Sequence, residues 1–211
     1  MEIVWLGHSS LRLESRGVRL ITDPYADSVG FSMGHQEASI VTSSNGHPHH
    51  SHYEAVGGDP RILRGPGEFE IAHYYISGMG TRHGEQDEDR EINTVFTIRA
   101  EGLTVCHLGD LSRRLSPSQV EEINQADVLC VPAGGVCTAG PARVAELVNL
   151  ISPSIVIPLH YRTEGIKVEL EPLAGFLTEM GVAEAAPQTR LNVMTSNLPR
   201  ELRVVVLQRG R

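Results

Sequence analysis

The sequence predicts a mixed α/β fold of the α+β kind, and three features of its pattern support this. Short apolar or alternating runs separated by turn residues fill the first third of the chain, which is typical of a β-meander. Amphipathic segments with clear helix starts come mainly in the second half. Strands and helices interleave without a linker. We therefore expect one domain over residues 1–211, with two β-rich halves at about 1–100 and 101–211.

The strands are predicted from apolar and β-branched runs that end at turn residues. In the opening meander, these turn residues are Gly7 and Ser15-Arg16-Gly17. The predicted strands are 2–6, 11–14, 18–21, 39–42, 61–63, 69–76, 94–99, 103–107, 128–131, 155–157 and 202–207.

Three helices are predicted from their start signals. Ser116-Pro117-Ser118-Gln119 is a capping box with proline at the first helical position, and this helix should run to about residue 125. Pro141 begins a second helix with an apolar face, and Pro172 begins a third that ends at Gly181.

Composition narrows the classes of function. A formal charge of -8 and a pI near 5.7 argue against a nucleic-acid partner, because affinity for phosphate backbones comes from clustered Lys and Arg. We find no secretory signal and no apolar run approaching the ~20 residues that cross a bilayer, so we expect a cytoplasmic protein without a membrane partner. Cys106, Cys130 and Cys137 are expected to be reduced core thiols rather than a disulfide framework.

A histidine cluster follows the predicted strand 39–42. It reads Asn45-Gly46-His47-Pro48-His49-His50-Ser51-His52, so four of the ten histidines fall within six residues. Neutral imidazole is the commonest ligand for zinc and similar ions, and closely spaced imidazoles after a strand can point at one spot. The cluster predicts a metal site, with a solvated loop that binds nothing as the alternative.

Other candidate ligands also follow strands. His83, Asp110 and His160 each come shortly after a predicted strand. Strand ends meet at one edge of a sheet, so residues far apart in sequence can gather there around a cation. The alternatives are that the two histidines are ordinary surface or core residues, and that Asp110 caps the segment after it.

Taken in order, these motifs resemble the metallo-β-lactamase fold over roughly residues 1 to 181. The closest branch looks like the small bacterial metal-dependent hydrolases related to L-ascorbate-6-phosphate lactonase. The resemblance implies an αββα sandwich, with the site along one edge where the two halves meet. The motifs that carry it are Trp5-Leu6-Gly7-His8-Ser9-Ser10, Thr22-Asp23-Pro24, the histidine cluster, Gly65-Pro66-Gly67-Glu68, His83, His107-Leu108-Gly109-Asp110-Leu111, Pro132-Ala133-Gly134-Gly135 and Pro158-Leu159-His160-Tyr161.

The family motif His-x-His-x-Asp-His is degenerate in this sequence. The matching positions are Asn45, His47, His49 and His50, so the first histidine and the aspartate are both replaced. The resemblance implies that the first two motif positions join His83 around one ion. It implies that His49 and His50 join His160 around a second ion, with Asp110 bridging both.

The replacements predict one ion of modest affinity rather than two. An amide oxygen at Asn45 is a poor zinc donor beside imidazole, so the first pocket should be weakened. The second pocket keeps His50, His160 and Asp110, with His49 as a further nitrogen donor. Zn²⁺ is expected, with Mn²⁺ as the alternative, and retention of the ion should depend on pH because only neutral histidines bind.

The function implied is hydrolysis of a small, anionic ester, lactone or phosphoester by a metal-activated water. Asp110, His49 and His8 are the predicted catalytic residues, with His8 transferring protons. Arg162 and Asn45 are assigned to the substrate, and Asp23 should orient a ligand histidine.

A non-catalytic relative that serves as a binding or sensing module is the alternative, because fold alone does not decide function. The expected partner is a small-molecule substrate. The sequence leaves open whether the protein forms a homo-oligomer.

Overall fold

Two β-sheets form the centre of the computed structural model, which describes residues 1–82 and 92–210. The strands are β1 (Glu2–Gly7), β2 (Ser10–Ser15), β3 (Val18–Thr22), β4 (Gln36–Glu37), β5 (Ile40–Ser43), β6 (Val56–Gly57), β7 (Arg61–Arg64), β8 (Gly67–Ile71), β9 (Tyr74–Arg82), β10 (Ile92–Ala100), β11 (Leu103–His107), β12 (Val128–Pro132), β13 (Ile155–Leu159), β14 (Leu191–Asn192) and β15 (Arg203–Val204). The α-helices are α1 (Pro117–Ile123), α2 (Pro141–Ile151) and α3 (Leu173–Glu179).

The first sheet has the strand order β14-β1-β2-β3-β5-β7, and the second has the order β15-β13-β12-β11-β10-β9-β8. Strands β1 to β3 form the predicted antiparallel meander, whereas β3, β5 and β7 are parallel neighbours. The chain passes from the first sheet to the second between β7 and β8, and β14 returns to the first sheet before β15 joins the second.

One hydrophobic core joins the two sheets. It contains Ile3, Trp5 and Leu20 from the first sheet and Phe96 and Val105 from the second. Residues of the helices join the same core, including Val144, Leu147, Val148 and Phe176. Burial between the sheets supplies most of the hydrophobic stabilisation that holds them face to face. The predicted mixed α/β class is confirmed.

The outer face of the first sheet packs against irregular chain. Val4, Leu6, Ile21 and Val41 alternate with the core residues and contact a second, smaller apolar cluster. That cluster comes from the segment between β3 and β7, which includes the 3-10 turns Asp27–Val29 and Tyr53–Ala55. The same segment carries the histidine cluster, so packing on this sheet also fixes where the histidines lie.

Two predicted strands differ from the structure. The run 202–207 shortens to the two residues of β15. The run 69–76 is a hairpin in which β8 pairs with β9 and Ile71 lies opposite Tyr74. Ala72 adopts a left-handed φ of 55°, although the turn holds no glycine or proline that would signal it. Apolar alternation continues through the turn, so the pattern alone does not reveal it.

The helices begin as predicted. In the capping box, Ser116 Oγ accepts a hydrogen bond from Gln119 N, and Gln119 Oε1 accepts one from Ser116 N. Within residues 1–82 and 92–210, no helix has the length and apolar character that a bilayer crossing requires.

Candidate metal centre

Four strand ends meet at one edge of the sandwich. His8 follows β1, Asn45 follows β5, Asp110 follows β11 and His160 follows β13. The backbone N–H of His160 donates to the carbonyl of His8 at 2.9 Å, which joins the two sheets at this point. Both histidines have left-handed φ angles, 50° and 53°, which are uncommon outside glycine and often occur at functional sites.

Three buried imidazoles lie close together at this edge. His8, His50 and His160 each offer one ring nitrogen, and these three atoms lie within 4.8 Å of one another. The ring centroids of His8 and His160 are 4.2 Å apart, and those of His8 and His50 are 5.2 Å apart. Zinc bound at about 2.1 Å in tetrahedral geometry separates its donors by about 3.4 Å. Small side-chain rotations would therefore bring these imidazoles around one ion.

Asp110 lies beside two of these imidazoles. Its carboxylate oxygens are 3.7 Å from His50 Nε2 and 3.8 Å from His160 Nε2. Its backbone N–H donates to Asn93 Oδ1 at 2.8 Å, and its Oδ2 accepts from Asn45 Nδ2 at 3.3 Å. These contacts hold the carboxylate beside His50 and His160.

Asp23 fixes the orientation of His50. Its Oδ2 is 2.8 Å from His50 Nδ1, and its carboxylate also accepts from the backbone N–H and hydroxyl of Ser44 and from the hydroxyl of Ser9. Burial raises the pKa of Asp23, but the hydrogen bond and charge of His50 outweigh this and leave that pKa below its usual value. In neutral His50, an ionised Asp23 would hold the ring proton on Nδ1, so the lone pair of Nε2 would face Asp110. The expected role of Asp23 in orienting a histidine agrees with this hydrogen bond.

In the part of the chain that the structure describes, His8 and His160 have buried ring nitrogens without hydrogen-bond partners. Within residues 1–82 and 92–210, both ring nitrogens of His8 and the Nδ1 of His160 have no hydrogen-bond partner. A buried polar group left unsatisfied costs about 1–3 kcal/mol, so such atoms call for a ligand. A divalent cation fits this donor set, since imidazole nitrogen is a preferred ligand of zinc.

The protonation of these histidines suits metal binding. Burial, followed by the neighbouring His160 and His50, lowers the pKa of His8 well below its usual value. Burial also lowers the pKa of His160 to about 4, although Asp110 opposes that shift. Both imidazoles are therefore neutral at pH 7, which is the form that binds a metal.

A second group of donors overlaps the first at His160. Asp110, Cys137 and His160 each offer a ligand atom, and these atoms also lie within 4.8 Å of one another. Cys137 is exposed, so the expectation that it is a core thiol is wrong, whereas Cys106 and Cys130 are buried as expected. Cys137 follows Gly135 and Val136, whose left-handed φ angles turn the chain outward.

A cavity of about 750 Å³ opens beside Cys137. Its lining includes Thr138, Arg143 and Glu179, together with the residues at the start of α2. Because Cys137 belongs to both the cavity wall and the donor group, the cavity adjoins the candidate metal centre.

Known proteins share this fold and sequence pattern. Residues 2–160 match the family described as the beta-lactamase superfamily domain. A UPF0173 protein of Pyrococcus furiosus is 31% identical over 187 residues, which cover 77% of this chain and 84% of that protein. The chain belongs to the UPF0173 family of this superfamily.

Two further similarities agree with this membership. A UPF0173 metal-dependent hydrolase of Methanopyrus kandleri is 25% identical over 201 residues, covering 77% of this chain and 85% of that protein. The crystal structure of a proposed Zn-dependent hydrolase of the metallo-beta-lactamase superfamily from Thermotoga maritima has a TM-score of 0.81 and 35% identity. The alignment covers 98% of this chain and 97% of the Thermotoga chain.

In this UPF0173 chain, the structure brings together part of the predicted ligand set. His50, Asp110 and His160 lie in the cluster with His8. His47 is exposed, and its Nδ1 accepts the backbone N–H of His49. His49 is partly exposed with its Nε2 3.2 Å from Ser28 Oγ, and within the described residues neither His47 nor His49 joins a donor group. His83 lies outside the described residues.

The two residues assigned to the substrate differ in their surroundings. The Asn45 side chain accepts the backbone N–H of His47 and donates to Asp110, so it orders the turn that carries the histidines. Arg162 is exposed, and its backbone N–H donates to Glu171 O. Binding of a substrate by either residue stays a prediction.

The sequence pattern missed three features of this site. His8 was assigned to proton transfer, and the structure places one of its ring nitrogens within 4.8 Å of ring nitrogens of His50 and His160. Its position directly after β1 is the same signal that selected Asp110 and His160. Cys137 and Arg143 gave no comparable signal, because their place depends on how the loop between β12 and α2 folds.

Proposed function

We propose that this protein is a hydrolase with a single divalent cation that acts on a small, anionic ester, lactone or phosphoester. The convergence of His8, His50 and His160, with partnerless nitrogens on His8 and His160 in the described structure, carries the proposal. The names of the curated relatives and of the Thermotoga structure agree with metal-dependent hydrolysis.

Zinc suits this donor set better than manganese. The three imidazoles are neutral nitrogen donors, whereas Mn²⁺ favours carboxylate and carbonyl oxygens. A bound Zn²⁺ would polarise the electrophilic oxygen of the substrate and activate a water molecule for attack. His8 thereby replaces the nitrogen that the sequence assigned to His49.

Asp110 is placed to handle protons. Its carboxylate lies within 4 Å of two of the imidazoles, and its position is fixed by hydrogen bonds from Asn45 and from its own backbone. A carboxylate held there can accept the proton of an attacking water and return it to the leaving oxygen. Asp110 is thus the proposed general base.

The cavity beside Cys137 suits a small substrate. Its volume of about 750 Å³ lies in the range of ligand pockets, about 300–1,000 Å³. Arg143 lines this cavity and donates one hydrogen bond to the carbonyl of Ser112, so its charge is held in place. The anionic group of the substrate would bind to Arg143, and the scissile bond would face Asp110.

The test combines metal content with turnover. Purified untagged protein should contain about one equivalent of zinc by elemental analysis. With zinc added, it should hydrolyse at least one of a p-nitrophenyl ester, a simple lactone and bis(p-nitrophenyl) phosphate. His160→Gln should lose both the metal and the activity, whereas His35→Gln, which changes an exposed histidine, should keep both.

The outcomes separate the candidate functions. Metal binding without turnover of any substrate class would favour a binding or sensing module. The degenerate motif with Asn45 and His49 is also consistent with such a module. Absence of both metal and turnover would overturn the proposal.

A further inference from the structure

We propose that Cys137 supplies a thiolate ligand to the ion at this centre, binding together with His160 and Asp110. The inference rests on the proposed metal centre and adds a donor that makes the site selective for thiophilic divalent cations. Its basis is the second donor group, in which the Cys137 sulfur, a His160 nitrogen and an Asp110 oxygen lie within 4.8 Å of one another.

The loop that carries Cys137 is held against both of its partners in the group. A Cβ added to Gly134 would lie 2.4 Å from the carbonyl oxygen of His160, so only glycine permits this contact. On the other side of Cys137, the N–H of Ala139 donates to the carbonyl of Leu111, which directly follows Asp110. Backbone packing, rather than chance exposure, therefore places the thiol between the two ligand segments.

A nitrogen without a partner provides a second and independent sign of a ligand. His160 is 1% exposed, and within the described residues its Nδ1 makes no hydrogen bond. His160 belongs to both donor groups, so it links the imidazoles to the carboxylate and the thiol.

Charge and softness determine which ion would bind. Imidazole binds a metal in its neutral form, so Asp110 and a Cys137 thiolate would supply the two negative charges that balance a divalent cation. Sulfur donors favour zinc over manganese and magnesium. On binding, the thiol proton leaves to solvent and the sulfur forms a bond to the metal.

Cobalt(II) tests this ligand directly, because a thiolate bound to Co²⁺ gives a charge-transfer band in the near ultraviolet. Apoprotein titrated with Co²⁺ should show this band together with the visible ligand-field bands. Cys137→Ser should lose the charge-transfer band but keep the ligand-field bands, and its zinc affinity should fall about tenfold with little change for Mn²⁺. Leu150→Ala, a change at an exposed residue of α2, should behave as the wild type.

Each spectrum distinguishes the two proposals. Ligand-field bands without a charge-transfer band in the wild type would overturn the thiolate ligand and leave the metal centre intact. If Co²⁺ does not bind at all, both proposals fail. A charge-transfer band that persists in His160→Gln would place the thiolate in a different site and would also overturn the inference.

Alkylation gives a second measurement that does not depend on the absorption spectrum of Co²⁺. In the metal-free protein, iodoacetamide should modify Cys137, while the buried Cys106 and Cys130 remain unmodified as internal references. Saturating zinc should protect Cys137, as measured by peptide mass spectrometry. Equal modification with and without zinc would contradict a metal–sulfur bond.

Discussion

At the scale of single residues, His8 distinguishes the proposed centre from the family motif. Its ring lies 4.2 Å from that of His160, and its two nitrogens find no partner within residues 1–82 and 92–210. We predict that His8→Ala lowers zinc affinity by about 10- to 100-fold, because one of three imidazole donors is lost. Isothermal titration calorimetry with zinc measures this, with His35→Ala as the control. An unchanged dissociation constant would remove His8 from the centre.

Asp23 should act on the metal through His50. Asp23→Asn keeps the size of the side chain but loses the charge that holds the proton of His50 on Nδ1. We predict a fall in zinc affinity of about 10- to 100-fold, as found for residues that orient metal ligands. The matched control is Asp59→Asn at an exposed turn, which should bind zinc as the wild type does. Equal affinities in the two variants would contradict the orienting role.

Individual residues also show that a sequence motif does not predict the direction of each side chain. The resemblance aligned Asn45 and His49 with ligand positions, but the structure uses Asn45 to order the turn and directs His49 towards Ser28. The residue types were correct for metal chemistry, yet side-chain direction depends on backbone conformation that spacing does not encode. His8 has the left-handed conformation that turns the chain after β1, and nothing in the local sequence requires that conformation of a histidine.

At the scale of elements, Gly109 allows β11 to deliver Asp110 to the site. Its φ is +60°, and an added Cβ would lie 2.4 Å from Ser44 Cβ and 2.6 Å from Asn93 Oδ1. We predict that Gly109→Ala lowers the free energy of unfolding by about 3 kcal/mol or more, because a left-handed φ and overpacking act together. Urea unfolding followed by circular dichroism measures this change.

Gly17 is the matched control for that substitution. It also has a positive φ, +77°, but a Cβ there would meet no atom within 4 Å. Gly17→Ala should therefore cost only the backbone strain, about 1 kcal/mol. Equal losses in the two variants would show that contact with Ser44 and Asn93 is unimportant.

Most of the strands and helices followed from local pattern. Turn glycines separate β1, β2 and β3, and proline with a capping box locates α1, because these signals act within a few residues. The short strands β4, β6 and β14 did not follow, since two-residue strands form only where tertiary packing brings their partners alongside. The hairpin of β8 and β9 was missed for a related reason, as its turn has no local marker.

At the scale of the whole molecule, the buried histidines make stability depend on pH. The pKa of His160 is lowered to about 4, and that of His8 is also lowered, so the unfolded chain binds more protons between about pH 4 and 6.5. The free energy of unfolding of the metal-free protein should therefore rise with pH across this range. The contribution of these histidines to stability should be lost as pH falls. His160 alone should contribute on the order of 3 kcal/mol.

Urea unfolding in the presence of a chelator, repeated from pH 4.5 to 7, measures this dependence. Because the pKa of Asp23 is lowered, its own contribution falls at more acidic pH and does not obscure the histidines. His160→Gln should reduce the dependence and leave the contribution of His8. A wild-type free energy that stays constant over this range would show that these histidines can be protonated without cost.

The global predictions depend on different kinds of evidence. Two sheets around one core follow from the ordered motifs, which is why the fold was predictable. The single domain, the cytoplasmic location, the lack of a nucleic-acid partner and the oligomeric state stay predictions, because composition bears on them only indirectly.

Anomalous diffraction at the zinc edge tests the central claim most directly. In crystals grown with zinc, we predict one strong anomalous peak within bonding distance of nitrogen atoms of His8, His50 and His160, with Asp110 beside it. A peak next to His47 and His49 instead, or no peak among the three buried imidazoles, would contradict the account.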